Sequence, residues 1–345
     1  MLKTPSVCLC MIVKNETTVL RRCLDSVASY IHHWVICDTG STDGTQSFVR
    51  EYFAARSLKG VLHETTWVNF GHNRTECLRH ARGTADFLLM LDADEVFVRK
   101  SGVHPFRGMT LAHHVCTVAI DGPLYYRVPV VTRGDMEWAY RGVTHEHLVV
   151  DRTKHSVHAW DGFALRHHAD GNNRTEKYTR DVALLREGIH EEPNNARYHF
   201  YLAESYNNMK RPADAIPWYT KRVAMGGWAE EVYYSMLQIA RCTHMMQCTG
   251  DSFETTVLPL YMAAFHYRPV RLEALYQVVL FYLKRGEHAR AFGYGMLAYP
   301  ACMSMHIPKD ILFLTRNVYT KAFPSAMSTA ARHLPGVTLA HRQLA

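Results

Sequence analysis

The chain has 345 residues, 48% of them apolar and 21% charged, proportions of a folded globular protein that exclude the disordered and fibrous classes. Its length suits two domains better than one core. The formal charge is +7, with Lys and Arg scattered and not gathered into a tract, which argues against nucleic acid as a partner and fits a phosphorylated small molecule or an anionic membrane surface.

The first hundred residues alternate short apolar runs with amphipathic stretches, the pattern of a parallel sheet with crossover helices. Strands are predicted over Val7 to Val13, Trp34 to Cys37, Gly60 to Glu64 and Phe87 to Leu91. Helices are predicted between them over Thr18 to Tyr30, Gly44 to Ala55 and Arg74 to Ala81. In the first helix Val19, Leu20, Cys23, Leu24 and Val27 repeat at helical spacing and form one core-facing stripe.

From Val115 to about His168 the texture changes to β-branched and aromatic residues, among them Tyr125, Tyr126, Val128, Val130, Trp138 and Tyr140. Mixed or antiparallel strands with long loops are expected there. After Asn172 the chain reads as helical. The segment from Tyr206 to Ala215 recurs in residue type from Tyr282 to Ala291, and Pro193, Pro269 and Pro300 punctuate helix ends. Aromatic, turn and small residue in that order are the style of a tetratricopeptide helix pair, and an irregular helical bundle is the alternative. The domains expected are residues 1–175 and 176–345.

The sharpest chemical signal is Leu88-Leu89-Met90-Leu91-Asp92-Ala93-Asp94-Glu95, an apolar strand that ends in three acids. Ligands of a parallel sheet gather at the carboxyl ends of its strands. Hard cations such as Mn²⁺ or Mg²⁺ take oxygen ligands and share them with substrate phosphates, so this turn can hold a metal. It can equally be an acidic helix N-terminus capped by Asp92 or Asp94. The second strand ends in Asp38-Thr39-Gly40-Ser41-Thr42-Asp43-Gly44-Thr45, where Asp38 is placed to bond a base or ribose and the hydroxyls to bond a ligand or cap the next helix. The first strand ends in Lys14-Asn15-Glu16, so three strands of one sheet deliver polar groups to one edge.

The segments Met11-Ile12-Val13-Lys14-Asn15-Glu16, Asp38 to Thr45, Asn73-Arg74 and Leu91 to Glu95 together resemble the family 2 glycosyltransferases of GT-A fold. The resemblance covers roughly residues 5–98. It implies an α/β GT-A domain followed by an all-α tetratricopeptide-like domain, and a nucleotide-sugar donor held by Val13, Asn15, Glu16, Asp38, Ser41, Asp43, Arg74, Asp92 and Ala93. It further implies a divalent Mn²⁺ or Mg²⁺ on Asp92 and Asp94, with Arg74 orienting the nucleotide or these acids. Thr75 departs from the family, where Asn is common, and puts a minor contact in doubt.

Tyr140 to Glu146 is similar to a Gly-x-x-His-Glu element in a subset of that family. Inverting transfer needs a base for the acceptor proton, and Glu146 is assigned that role beside Asp94, the other residue placed in catalysis. The competing reading pairs Glu146 with Arg141 or Arg152, and Asp135, Glu137 and Asp161 compete as bases. Some GT-A enzymes supply a late histidine to the metal, for which His167 and His168 are the candidates, His167 sharing a strand face with Phe163 and Leu165. A surface histidine pair is the alternative.

These readings converge on a metal-dependent inverting transferase that moves a sugar, with UDP as carrier, to a glycan, protein or other acceptor. A nucleotidyltransferase, or a tetratricopeptide scaffold with an inactive GT-A domain, are the rivals. The groove of the helical domain could bind a protein acceptor or mediate a homodimer. Nine cysteines (Cys8, Cys10, Cys23, Cys37, Cys77, Cys116, Cys242, Cys248 and Cys302) without a CxxC pair read as buried free thiols in a reducing compartment. The absence of a long apolar segment, and of room for glycans at the sequons of Asn15 and Asn73 (a third is at Asn173), point to a cytoplasmic or peripheral, not membrane-spanning, protein.

Overall fold

The computed structural model describes residues 4–100, 102–121, 126–171, 176–246, 252–298 and 307–337. Tyr125, Asn173, Cys248, Pro300 and Cys302 lie outside the described residues. The chain forms two compact units, Met1–Leu184 and Leu185–Ala345.

In the first unit, strands β1 (Val7–Val13), β2 (His33–Asp38), β3 (Gly60–Glu64) and β4 (Phe87–Met90) alternate with helices α1 (Leu20–Val27), α2 (Thr45–Ala54) and α3 (Phe70–Ala81). They continue into β5 (Glu95–Arg99), β6 (Val115–Ile120), β7 (Arg127–Arg133) and β10 (Val157–His167), with a short ribbon of β8 (Tyr140–Arg141) and β9 (His147–Leu148) between. The main sheet runs β3-β2-β1-β4-β7-β6-β10-β5. Its first four strands are parallel, while β7 pairs antiparallel with β4 and β6. Parallel strands covered on both faces read as continuous apolar runs. β1 does so, with all of its residues except Ile12 buried.

The helix stripe predicted for the first crossover is where the sequence places it: Leu20, Cys23, Leu24 and Val27 are all buried. The helix itself is shorter than predicted, and Ala28–Tyr30 tighten into a 3₁₀ turn. The third helix is longer than predicted. It starts at Phe70 because Asn69, in extended conformation, caps it by accepting the His72 N–H, satisfying one of the orphan donors of a helix start.

The helix-cap reading of the Asp-Ala-Asp turn is not what forms, since Glu95 opens strand β5, which pairs antiparallel with the end of β10. Pairing puts Glu95 opposite His167. Asn73, one of the sequon residues, is fully buried, accepting from Val68 N–H at 3.0 Å and donating to the Thr66 carbonyl at 2.9 Å. The described cysteines, Cys8, Cys10, Cys23, Cys37, Cys77, Cys116 and Cys242, are buried free thiols.

The second unit is helical. Helix α4 (Lys177–Glu191) ends in it, and α5 (Ala196–Asn208), α6 (Pro212–Ala224) and α7 (Ala229–Met246) follow, each packed on its chain neighbour. Four more, α8 (Leu258–Tyr267), α9 (Glu273–Lys284), α10 (His288–Met296) and α11 (Phe323–Arg332), enclose a core that includes Tyr233, Leu237, Phe253, Leu275, Val279 and Phe323. Pro212 opens α6 at its first turn, where no donor is lost. Among the described residues no helix is long and apolar enough to cross a membrane.

Candidate active site

The carboxyl ends of β1 and β2 lie side by side, with Val13 paired to Asp38, so the two loops that follow must interlock. Asn15 takes a left-handed conformation at φ 58°, which turns its backbone N–H onto Ser41 Oγ at 2.8 Å. Its side-chain oxygen accepts the Thr42 N–H at 2.7 Å. Asp43 is the second clamp: Oδ2 accepts from Thr17 N–H and hydroxyl at 3.1 and 2.8 Å, and Oδ1 from Thr45 N–H and hydroxyl at 3.0 and 2.6 Å. Partial burial opposes ionisation of Asp43, but these four bonds outweigh it and lower its pKa to about 2.

Asp38 sits beneath this pair of loops and is almost fully buried. Oδ1 accepts from the Gly40 N–H, the Ser41 N–H and the Gln46 amide at 3.0, 2.8 and 3.0 Å. Oδ2 is buried without a hydrogen-bond partner among the described residues. An unpaired buried carboxylate oxygen is costly, and a ligand donor would remove that cost.

At the end of β4 the chain turns sharply, with Glu95 N–H bonded to the Asp92 carbonyl at 3.1 Å and Glu95 Oε2 accepting the Asp92 N–H at 3.0 Å. Burial, with Asp92 and Asp94 close by, pushes the Glu95 carboxyl up to about 8. Arg74 reaches this turn from α3. Its Nη2 donates to Asp92 Oδ1 at 2.6 Å and its Nε to Glu146 Oε1 at 2.5 Å. Burial alone would disfavour the guanidinium charge, but the two carboxylates outweigh it and hold Arg74 firmly protonated.

Glu146 thus pairs with Arg74 and not with Arg141 or Arg152. The loop that carries it docks on the start of α3, where Phe70 N–H bonds the Val143 carbonyl and Gly71 N–H the Gly142 carbonyl, both at 3.1 Å. Gly71 is required there, since a Cβ would stand 2.5 Å from the Gly142 carbonyl oxygen. Thr75 fills the neighbouring place: its hydroxyl donates to the Gly71 carbonyl at 2.7 Å and accepts the Tyr140 N–H at 2.8 Å.

A cavity of about 300 Å³ opens at this sheet edge, at the lower end of the size range of ligand pockets. Of the residues predicted for the site, Val13, Glu16, Arg74, Asp92, Ala93, Asp94 and His167 line it. Asn15, Asp38, Ser41 and Asp43 stand behind as the interlocked loops, and Glu146 stands behind Arg74 with 11% of its side chain exposed. His167 Nδ1 lies 3.6 Å from Asp94 Oδ1. His168 joins the turn through its backbone, its N–H bonding the Asp94 carbonyl at 3.1 Å, while its ring is not part of the wall.

The competing acids are engaged elsewhere. Asp135 pairs with Arg133, Asp161 with Arg127 and Glu137 with Arg82, all largely exposed. Lys14, from the polar end of the first strand, also lines the cavity, and sequence reading did not single out Trp67, Phe70, Lys177 and Arg180, which are further parts of the wall. Phe70 sits between Trp67, edge-on at 4.9 Å, and the Arg180 guanidinium at 5.1 Å. Lys177 and Arg180 are far along the chain, and only folding brings their helix to this edge.

The donors suit a hard divalent cation: carboxylate oxygens from Asp92 and Asp94 and an imidazole nitrogen from His167. Among the described residues no three such side chains close into a preformed metal cluster. Ions that share a diphosphate with the protein are held this way, with few side-chain ligands and the remaining positions left to phosphate and water.

Residues 8–101 match the profile of glycosyl transferase family 2. The chain is 22% identical over 233 residues, 64% of its own length, to the SPbeta prophage-derived glycosyltransferase SunS of Bacillus subtilis, of which it covers 54%. It is 39% identical over 93 residues, 27% of its length, to a TPR repeat-containing protein of Synechococcus elongatus, of which it covers 21%. It therefore spans about half the length of one of these relatives and about a fifth of the other. Among solved structures it is similar, at 16% identity and a TM-score of 0.37, to the mannosyltransferase PcManGT from Pyrobaculum calidifontis in complex with GDP-Man and Mn²⁺, with 76% of this chain and 86% of that one covered. By its motifs, its sheet and the matching profile, the N-terminal unit carries a family 2 glycosyltransferase domain of GT-A type, followed in the chain by a tetratricopeptide-like helical unit.

Proposed function

We propose that the chain transfers a sugar from a nucleotide-diphosphate donor to a glycan, protein or other acceptor, with inversion, in the presence of Mn²⁺ or Mg²⁺. The observation that carries this reading is Arg74, which ties Asp92 of the acidic turn to Glu146 within one buried network. The metal end of the site and the candidate base are thereby held in fixed relation, which is the preorganisation that electrostatic catalysis needs.

In this reading the orphan Oδ2 of Asp38 accepts from the base or ribose of the nucleotide, and UDP is the carrier. Lys14, Lys177 and Arg180 supply cations around the diphosphate. Asp94, Asp92 and His167 would hold the divalent ion, which offsets charge on the departing diphosphate. Glu146 takes the proton of the attacking acceptor group. The acceptor is a glycan or a protein, and the helical unit is the candidate for holding a protein acceptor or a second copy of the chain.

A thermal-shift panel of UDP-, GDP- and dTDP-sugars with and without Mn²⁺ tests the donor. Stabilisation by a UDP-sugar only with the ion supports the reading. An Asp94→Ala protein that released nucleotide at the wild-type rate in excess chelator would sink it.

A further inference from the structure

Helix α4 carries a carboxylate that the reading above does not use. Asp181 is fully buried, and its oxygens face the two residues that precede Glu146. Oδ1 accepts from the Thr144 hydroxyl at 3.2 Å. Oδ2 lies 3.9 Å from His145 Nε2 and has no hydrogen-bond partner among the described residues. Both residues it faces are constrained: Thr144 is itself buried, and His145 has a left-handed backbone at φ 50°, a conformation that a non-glycine residue keeps only when its surroundings enforce it.

From these contacts we propose that Asp181 is a positioning residue, which fixes the strained Thr144-His145 turn and so sets where Glu146 stands. The proposal rests on the assignment of Glu146 above. A buried carboxylate facing an imidazole orients the ring and favours its charged form, and an acid that orients a histidine is a recurrent supporting element of active sites. The other charged groups facing Asp181 are Arg180, whose Nε is 3.9 Å from Oδ1, and Lys177, which both favour the carboxylate, and Glu146, which opposes it. Burial is the largest influence and raises the Asp181 pKa, with Arg180, Lys177 and the Thr144 hydroxyl opposing it.

The test combines NMR titration of the His145 ring with release of nucleotide from UDP-glucose and GDP-mannose in the presence of Mn²⁺, using the full chain. Asp181→Asn keeps the volume and an acceptor for Thr144 but removes the charge. It is expected to move the His145 midpoint to lower pH and to lower kcat by about tenfold with donor KM unchanged. Thr144→Val, which removes the other contact, should lower kcat without moving that midpoint. In a Glu146→Gln background Asp181→Asn should lower kcat no further, because the two act as one unit. An unmoved His145 midpoint overturns the proposal, as does an undiminished further loss in the Glu146→Gln background. A Glu146→Gln protein with full turnover removes the base assignment instead. If neither donor is turned over by the unaltered protein, the midpoint alone decides.

Discussion

Arg74→Met removes the guanidinium from between Asp92 and Glu146 while keeping an unbranched apolar stem. The Arg74 and Glu146 side chains are each 11% exposed, and Asp92 is 39% exposed. Breaking a buried ion pair from one side costs about 3–5 kcal/mol. Asp92 can rehydrate, so the lower end of that range applies, about 3 kcal/mol, with most of it from Glu146. For a unit of this size about 1 kcal/mol shifts the melting temperature by roughly 2–4 °C, giving a fall of about 6–12 °C in scanning calorimetry of the full chain. Arg74→Lys keeps the charge but cannot bridge two carboxylates with a planar fork, and should recover only part of the loss. Adding Glu146→Gln to Arg74→Met should restore much of the stability, because the stranded charge is gone. A melting temperature within about 2 °C of wild type for Arg74→Met, or no recovery on adding Glu146→Gln, would refute the reasoning.

Asp38→Asn keeps the acceptor used by Gly40, Ser41 and Gln46 and replaces the orphan oxygen, so UDP affinity by calorimetry should fall about tenfold or more while the ligand-free melting temperature holds or rises. Gly71→Ala forces a Cβ to 2.5 Å from the Gly142 carbonyl, and should lower the melting temperature and turnover together by displacing the Glu146 loop. Glu204 in α5 is pushed up to about 7 by burial, against the opposing Tyr219 hydroxyl bond and Arg241. The folded state therefore holds this proton more tightly than the unfolded chain, whose carboxyl titrates near 4.5. The stability present below 4.5 is lost as pH rises to about 7, so Glu204→Gln should raise the melting temperature at pH 8 and leave it unchanged at pH 4. Chelation or Asp94→Ala should abolish nucleotide release while leaving the circular dichroism spectrum intact.

Periodicity was enough to locate β1, α1 and α2 to within a few residues, because a buried parallel strand needs an unbroken apolar run and a crossover helix an apolar stripe. The polar ends of β1, β2 and β4 were legible for the same reason, and with them Asn15, Asp38 and the Asp92-Ala93-Asp94 turn. Local sequence could not show that Glu95 opens a strand, because its partner in β10 is some seventy positions away and pairing, not propensity, decides strand formation. Nor could it choose among Arg141, Arg152 and Arg74 as the partner of Glu146. That choice depends on the close approach of Gly71 to Gly142, which brings α3 against the loop. Lys177, Arg180 and Asp181 had no local signal, since an ordinary helix face becomes part of the site only when folding sets it at the sheet edge. The composition of each element was thus written in its own residues, and the identity of the charged partners was settled by contacts between elements that the chain order keeps apart.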